Sequence, residues 1–304
     1  MANKKILITG ANGLLGQKLI DLYLTKPDKT LIATAKGDCR YPHRNNFIYA
    51  SLDITNQQEV EEVINRFQPD CVINTAAMTN VDACETEKEA CDALNVEAVK
   101  YLADACKKVN AHFIHISTDF IFDGENGPYS EDAEALPLSY YGWSKLKGED
   151  MVKTHTDSWA ILRTVLVYGV VHDMSRSNIV LWAKGALEKG QTINVVDDQF
   201  RTPTLAEDLA MGCFLAEDQQ AQGIYNISGK DFMNIFELVN AIANYYELDA
   251  SLIKRSSSTN LNQPAKRPPI TGFKLDKAIH ELNYQPHSFP EGLEIVKQQL
   301  AGHK

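Results

Sequence analysis

The stretch Ile6-Leu7-Ile8-Thr9-Gly10-Ala11-Asn12-Gly13-Leu14-Leu15-Gly16-Gln17-Lys18-Leu19-Ile20 reads as an apolar strand, a glycine-punctuated turn and the first turns of a helix. In such a unit Gly10 turns the chain sharply off the strand. Gly13 leaves room for a pyrophosphate to approach backbone, and Gly16 lets the helix pack close to the sheet. The first N–H groups of that helix have no partner within it and carry a partial positive charge, so they favour an anion. The spacing is Gly-x-x-Gly-x-x-Gly. Three glycines alone would suit a plain tight turn, but a strand before and a helix after make this a dinucleotide cradle.

The rest of the composition narrows the class. The chain has 304 residues, enough for one large α/β domain or two lobes sharing a cleft, with an ordinary 44% hydrophobic and 23% charged residues. Its net charge of −10 disfavours nucleic acid and anionic membranes as partners. No apolar run approaches the ~20 residues of a membrane span, and the N-terminus enters a strand with no signal-sequence pattern, so a cytoplasmic protein is expected. Cys39, Cys71, Cys84, Cys91, Cys106 and Cys213 include no Cys-x-x-Cys pair and read as reduced packing residues, with no metal site.

Further along, Thr30 to Ala35 reads as a second strand, whose end is where a Rossmann-type protein meets the adenosine ribose. Lys36 stands there instead of a carboxylate, with Asp38, Arg40 and Arg44 following. A cation suits the 2′-phosphate of NADPH, while Asp38 keeps NADH open. Phe47 to Ala50 reads as a third strand leading to Asp53-Ile54, and Asp53 suits either the adenine edge or a helix cap. After a helix over Asn56 to Phe67, Asp70 to Ala77 reads as a buried parallel strand whose small end, Ala76-Ala77, lets a cofactor lie close. One long helix is expected from about 86 to 109, around Asn95. His112 to Thr118 is a further strand, and His112 and His115 read as ordinary strand residues.

The segment Phe120 to Pro137 is rich in Asp, Glu, Gly and Pro and reads as a loop over the carboxyl edge of the sheet, where open α/β sheets bind ligands. It leads into a helical stretch from Ser139 to Glu149. Tyr141 and Lys145, four apart, project from the same face of it. A Tyr-x-x-x-Lys match is expected by chance in a chain with 12 tyrosines, so its position matters more. It follows the strand ending in Ser117-Thr118, where all three groups can converge on one carbonyl.

A sixth strand, Ala160 to Val167, closes the nucleotide-binding pattern. The fold expected is α/β: a Rossmann-type doubly wound parallel sheet over residues 1–168, and a smaller C-terminal α/β substrate lobe over 169–304, with chain exchange between lobes allowed. Within the second lobe, helices are expected over Asn178 to Leu187, Leu205 to Leu215 and Phe232 to Tyr246, strands over Ile193 to Val196 and Gly223 to Ile227, and a flexible loop at Ser256 to Asn260.

With these residues in hand, the chain resembles the extended short-chain dehydrogenase/reductases, and among them the dTDP-4-dehydrorhamnose reductases. The resemblance rests on the glycine turn, Pro69 to Asp82, Leu94-Asn95-Val96, Ser117 to Gly124, Tyr141 to Glu149, Arg163-Thr164, and Asp198-Gln199 followed by Pro203-Thr204. It implies a nicotinamide cofactor, a sugar nucleotide in the cleft between the lobes, and Thr118, Tyr141 and Lys145 as the catalytic set. It adds Asn12, Leu14, Leu15, Ile54, Asn74, Thr79 and Asn95 to the cofactor contacts Gly10, Gly13, Gly16, Lys36, Asp53, Ala76 and Ala77. It puts Thr79, Val81, Asp82, Asp119, Phe120, Gln199, Arg201, Thr204 and Arg267 with Thr118 at the substrate. For Arg201 a two-bond pairing with a diphosphate competes with a structural role on a helix-entry loop. Dehydratase relatives carry an acid pair after the Ser/Thr, whereas Asp119 is followed here by Phe120, which argues against dehydration. Val165-Leu166 stands where family reductases often have Ser-Trp.

The activity this implies is reduction of a 4-keto-6-deoxy sugar nucleotide, foremost dTDP-4-dehydro-L-rhamnose, by NADPH or NADH. Tyr141 supplies the proton to the developing alkoxide, Lys145 lowers the phenol's pKa and holds the nicotinamide ribose, and Thr118 stabilises the oxyanion, with Ser117 in reserve. A homodimer is compatible with this reading. The resemblance extends to sibling epimerases and to the non-catalytic β subunit of methionine adenosyltransferase, so the fold alone does not prove turnover.

Overall fold

The computed structural model describes residues 3–175, 177–260 and 263–302. The opening stretch folds as its pattern dictates. β1 (Lys4–Thr9) buries Ile6, Leu7 and Ile8 completely, and α1 (Leu14–Tyr23) starts at Gly13 with no side chain capping it. There follow β2 (Lys29–Ala35), β3 (Ile48–Ser51), α2 (Gln57–Phe67) and β4 (Cys71–Asn74). Asn56 caps α2 by accepting from the N–H groups of Gln58 and Glu59.

The long helix expected over 86–109 is divided. α3 (Val81–Thr86) and α4 (Lys88–Asp92) lead into a π-helical turn at Ala93–Glu97 before α5 (Ala98–Val109). Apolar periodicity does not register the extra residue of a π turn, so the sequence gives no sign of it. β5 (His112–Thr118), α6 (Tyr140–His155) and β6 (Trp159–Thr164) come next. The sixth strand is shorter than its apolar run. Leu166 takes a left-handed φ of 40° and turns the chain, so that β7 (Val167–Tyr168) leaves the main sheet.

Beyond this lie α7 (Ile179–Glu188), β8 (Ile193–Val196), β9 (Phe200–Arg201), β10 (Thr204–Leu205), α8 (Ala206–Asp218), β11 (Gly223–Asn226), β12 (Met233–Asn234), α9 (Ile235–Tyr245), β13 (Ile253–Ser256), α10 (Asp276–Leu282) and α11 (Phe289–Ala301). The main sheet has seven strands, all parallel, in the order β11-β6-β5-β4-β1-β2-β3. This is the doubly wound Rossmann-type sheet, with its topological switch between β1 and β4.

Position 168 does not divide the chain cleanly. β11 adds a strand beside β6, and Leu209 and Cys213 of α8, Ala278 and Leu282 of α10, and Tyr284 share one apolar core with Ile6, Ile8 and Leu19. The first lobe therefore reclaims two later segments. The second lobe is built from the strand pairs β7–β10, β9–β12 and β8–β13 with α7, α9 and α11, around Val180, Leu238, Ile242, Leu293 and Val296. The serine-rich loop after β13 is tied down, because the Asp198 carboxylate accepts from the Ser257 hydroxyl and from the Ser258 N–H and hydroxyl. All six cysteines are buried and free. Among the described residues no helix is long and apolar enough to cross a membrane.

Candidate active site

A cleft of about 830 Å³ runs along the carboxyl edge of the main sheet, from the glycine turn to the second lobe. That volume is in the range of a site for a large ligand. Its first wall is the turn after β1. Gly10 has φ +68°, and a Cβ there would lie 2.9 Å from the Ala76 nitrogen. A Cβ on Gly16 would come within 2.4 Å of the Gly10 oxygen, so only glycine allows α1 to sit this close to the turn. Gly10, Asn12, Gly13, Leu14 and Leu15 line the cleft, while Gly16 packs behind it.

Asn12 ties this turn to the next loop, donating to the Asp38 carbonyl (2.8 Å) and accepting from the Arg40 N–H (2.8 Å). Lys36 is 80% exposed on its side chain and pairs with Asp53 at 2.6 Å. The two residues expected to read opposite ends of the adenosine thus meet each other, and Arg40 lines the cleft nearby. Ile54 belongs to the apolar core behind the sheet.

The chemical end is built by β5 and α6. Ser139 caps α6 by accepting from the Gly142 N–H, which fixes the rotation of the helix and points Tyr141 and Lys145 inward. Their side chains are buried, at 8% and 2% exposure. The Lys145 ammonium donates to the Ile116 carbonyl (2.7 Å) and lies 3.2 Å from His115 Nε2. Burial pushes Lys145 down to about 8, against the opposing pull of Glu149.

Burial, with the Asp119 carboxylate adding to it, pushes the Tyr141 phenol well above its usual pKa against an opposing pull from Thr118. This corrects the expectation that the lysine brings the phenol toward neutrality. Burial dominates and favours the protonated phenol. Thr118 donates to Asp119 (3.1 Å), which Thr271 and the Arg201 guanidinium also hold. Ser117 donates to Glu149 (2.7 Å), which itself takes two bonds from Arg163. Both hydroxyls thus give their single proton to a carboxylate, Ser117 to the one that Arg163 holds and Thr118 to Asp119.

Several residues expected at ligands also hold the walls together. Asn74 is buried beneath the cleft, accepting from the Thr9 hydroxyl (2.6 Å) and contacting His115. Asn95 is fully buried, and its amide accepts from the Met78 N–H (2.9 Å) and donates to the Met78 carbonyl and Ser144. It clamps the loop after β4 to α6. Thr204 is fully buried and donates to the Val165 carbonyl. Arg201 lines the cleft, and its guanidinium donates to the carbonyls of Phe200, Pro268 and Pro269. Asp82 and Arg267 form a two-bond ion pair (3.1 and 2.8 Å) that straps the late segment to the first lobe. Ala76, Ala77, Thr79, Val81, Asp119, Phe120, Gln199 and Arg267 do line the cleft. The sequence reading missed Asn178, Val196 and Ile235 on its far wall. Of these Asn178 had a readable signal, as the N-cap of α7.

A model of the RmlD substrate binding domain matches residues 4–301. The chain belongs to the RmlD substrate-binding domain family. The similarity to dTDP-4-dehydrorhamnose reductases noted from the motifs thus extends along the whole chain. A probable low-salt glycan biosynthesis reductase of Haloferax volcanii is 33% identical over 297 residues, covering 95% of this chain and 96% of that one. Methionine adenosyltransferase 2 subunit beta of Danio rerio is 33% identical over 271 residues, covering 87% of this chain and 81% of that one. Among solved structures, dTDP-4-dehydrorhamnose reductase of Bacillus anthracis in complex with NADP superposes with a TM-score of 0.84 at 27% identity, over 98% of this chain and 99% of that one. The RmlD family thus spans named reductases and a named subunit of another enzyme, and the residues at the cleft have to decide between these readings.

Proposed function

We propose that this chain is an NADPH-dependent reductase of a 4-keto-6-deoxy sugar nucleotide, foremost dTDP-4-dehydro-L-rhamnose, with NADH as a weaker alternative donor. The observation that carries the reading is the burial of Thr118, Tyr141 and Lys145 together at one end of a cleft whose other end is an uncapped helix N-terminus. A dinucleotide fits that end, because a Cβ on Gly10 would fill the turn and the first N–H groups of α1 take no side-chain cap. Gly10, Asn12, Gly13, Leu14 and Leu15 would hold it, with Ala76 and Ala77 opposite. Bound there, the nicotinamide supplies hydride.

The chain's own residues do the rest. As the substrate carbonyl oxygen becomes an alkoxide it needs a proton, and the protonated Tyr141 phenol is the acid that supplies it. The Thr118 hydroxyl, whose single proton otherwise goes to Asp119, turns that proton onto the same oxygen. Lys145 stands one turn from Tyr141 and holds the charge that favours the phenolate left behind. Gln199, Thr79, Val81 and Arg267 line the part of the cleft left for the sugar nucleotide. The test is NADPH consumption with dTDP-4-dehydro-L-rhamnose, compared with Tyr141→Phe, which should fall ~10²-fold or more while retaining the cofactor. Similarity to the beta subunit of methionine adenosyltransferase favours a second reading, a regulatory subunit that binds the dinucleotide without turnover. Tight NADPH binding with no consumption would select it.

A further inference from the structure

Among the buried titratable groups that the mechanism does not use, His115 lies against Lys145. His115 is fully buried on β5, with Nε2 3.2 Å from the Lys145 ammonium and Nδ1 3.1 Å from the Asn74 amide nitrogen. The orientation of that amide is fixed from its other end. Its oxygen accepts from the Thr9 hydroxyl at 2.6 Å and from the Ala76 N–H at 3.3 Å, and a backbone N–H can only donate. The NH2 group of Asn74 therefore faces His115, and Nδ1 must accept. A neutral imidazole that accepts at Nδ1 carries its proton on Nε2.

From this chain of bonds we propose that His115 is a positioning residue for Lys145, presenting an N–H to the lysine nitrogen and so favouring its amine form. The inference rests on reading Lys145 as the catalytic lysine. The Ile116 carbonyl takes one lysine hydrogen, and the amine lone pair is then free to accept from His115. The groups facing Lys145 are His115 from β5, Glu149 one turn on along α6, and Cys91 from α4. Glu149 favours the ammonium but spends its oxygens on Arg163 and Ser117. Burial and the lysine charge hold His115 well below the usual histidine range, in keeping with a neutral ring. The arrangement makes Lys145 a ready proton donor. Once Lys145 has given up a proton, the resulting amine already has a hydrogen-bond donor in place.

The experiment is ¹⁵N NMR of the full-length protein labelled at histidine, with His115→Gln identifying the His115 signals. The expected result is a pyridine-like Nδ1 and a pyrrole-like Nε2 from roughly pH 6 to 9. The opposite tautomer, or an imidazolium, overturns the proposal, and either result leaves the assignment of turnover untouched. Asn74→Asp supplies a second measurement, since its carboxylate still accepts from Thr9 and Ala76 but demands a proton on Nδ1. The tautomer should reverse, and the alkaline limb of kcat, where Lys145 loses its proton, should move up by about one pH unit. A folded Asn74→Asp protein with an unchanged tautomer and an unchanged limb contradicts the proposal.

Discussion

Glu149 and Arg163 form a two-bond ion pair in the interior, with Nε and Nη2 of the arginine 2.9 and 2.8 Å from the two carboxylate oxygens. The pair joins α6 to β6, and through Ser117 it also reaches β5, so it sets the distance between the two elements that carry Thr118, Tyr141 and Lys145. Burial raises the carboxyl's pKa, but Arg163 and Ser117 outweigh it and hold Glu149 below its ordinary value. A depressed folded-state pKa gives stability that is present above the unfolded value of about 4.3 and is lost as pH falls through the folded value. Glu149→Gln should cost roughly 3–5 kcal/mol at neutral pH by leaving Arg163 unpaired, and it should flatten the acid limb of thermal stability. An unchanged denaturation midpoint would show that the pair is not holding α6.

Arg201 should behave as a scaffold residue. Its guanidinium serves the Phe200, Pro268 and Pro269 carbonyls and lies 3.7 Å from Asp119. Arg201→Ala is expected to lower stability by about 3 kcal/mol or more in urea, and Arg201→Lys should rescue little, since an ammonium lacks the planar fork. A normal urea midpoint combined with a raised KM for the sugar nucleotide would restore the diphosphate contact.

The glycines of the turn separate into two kinds. A Cβ on Gly13 would be 3.2 Å from the Gly10 oxygen, a tight but tolerable approach, whereas one on Gly16 would be at 2.4 Å. Gly13→Val should therefore abolish NADPH binding in calorimetry with a near-normal melt, because its branches enter the cleft. Gly16→Ala should lower the melting temperature. Unchanged NADPH affinity in Gly13→Val would place the cradle elsewhere.

Cofactor choice should depend on Arg40 more than on Lys36. Lys36 and Arg40 both line the cleft, but the Lys36 ammonium is engaged by Asp53 at 2.6 Å. Arg40→Ala should raise the Kd for NADPH roughly 10-fold or more and leave that for NADH unchanged. Lys36→Ala should do little. The reverse pattern would make Lys36 the reader of the 2′-phosphate.

What could be read from the sequence was whatever depends on local spacing. The glycine turn is a contiguous pattern, and Tyr141 and Lys145 share a face because they are four apart on one helix, so both were legible. Residues whose role depends on distant partners were not. Asn74 and Asn95 were expected at the cofactor, yet each spends its amide on groups reached only through tertiary folding, His115 in one case and Met78 with Ser144 in the other. Arg201 finds its carbonyls 67 and 68 residues away in sequence. The return of β11 to the main sheet is likewise a long-range pairing, for which an apolar pentapeptide gives no address. His115 looked like any strand residue because nothing in its neighbourhood names the lysine 30 positions on.

The proposed reaction brings hydride to the C4 carbonyl of a sugar nucleotide in this cleft while Tyr141 supplies the proton. Its most direct test is incubation of the protein with NADPH deuterated at the transferred position and dTDP-4-dehydro-L-rhamnose, followed by NMR of the product. One deuterium is expected on the sugar C4, with its near-complete loss in Tyr141→Phe. Unlabelled sugar recovered with intact deuterated NADPH, from protein shown to bind the cofactor, would contradict it.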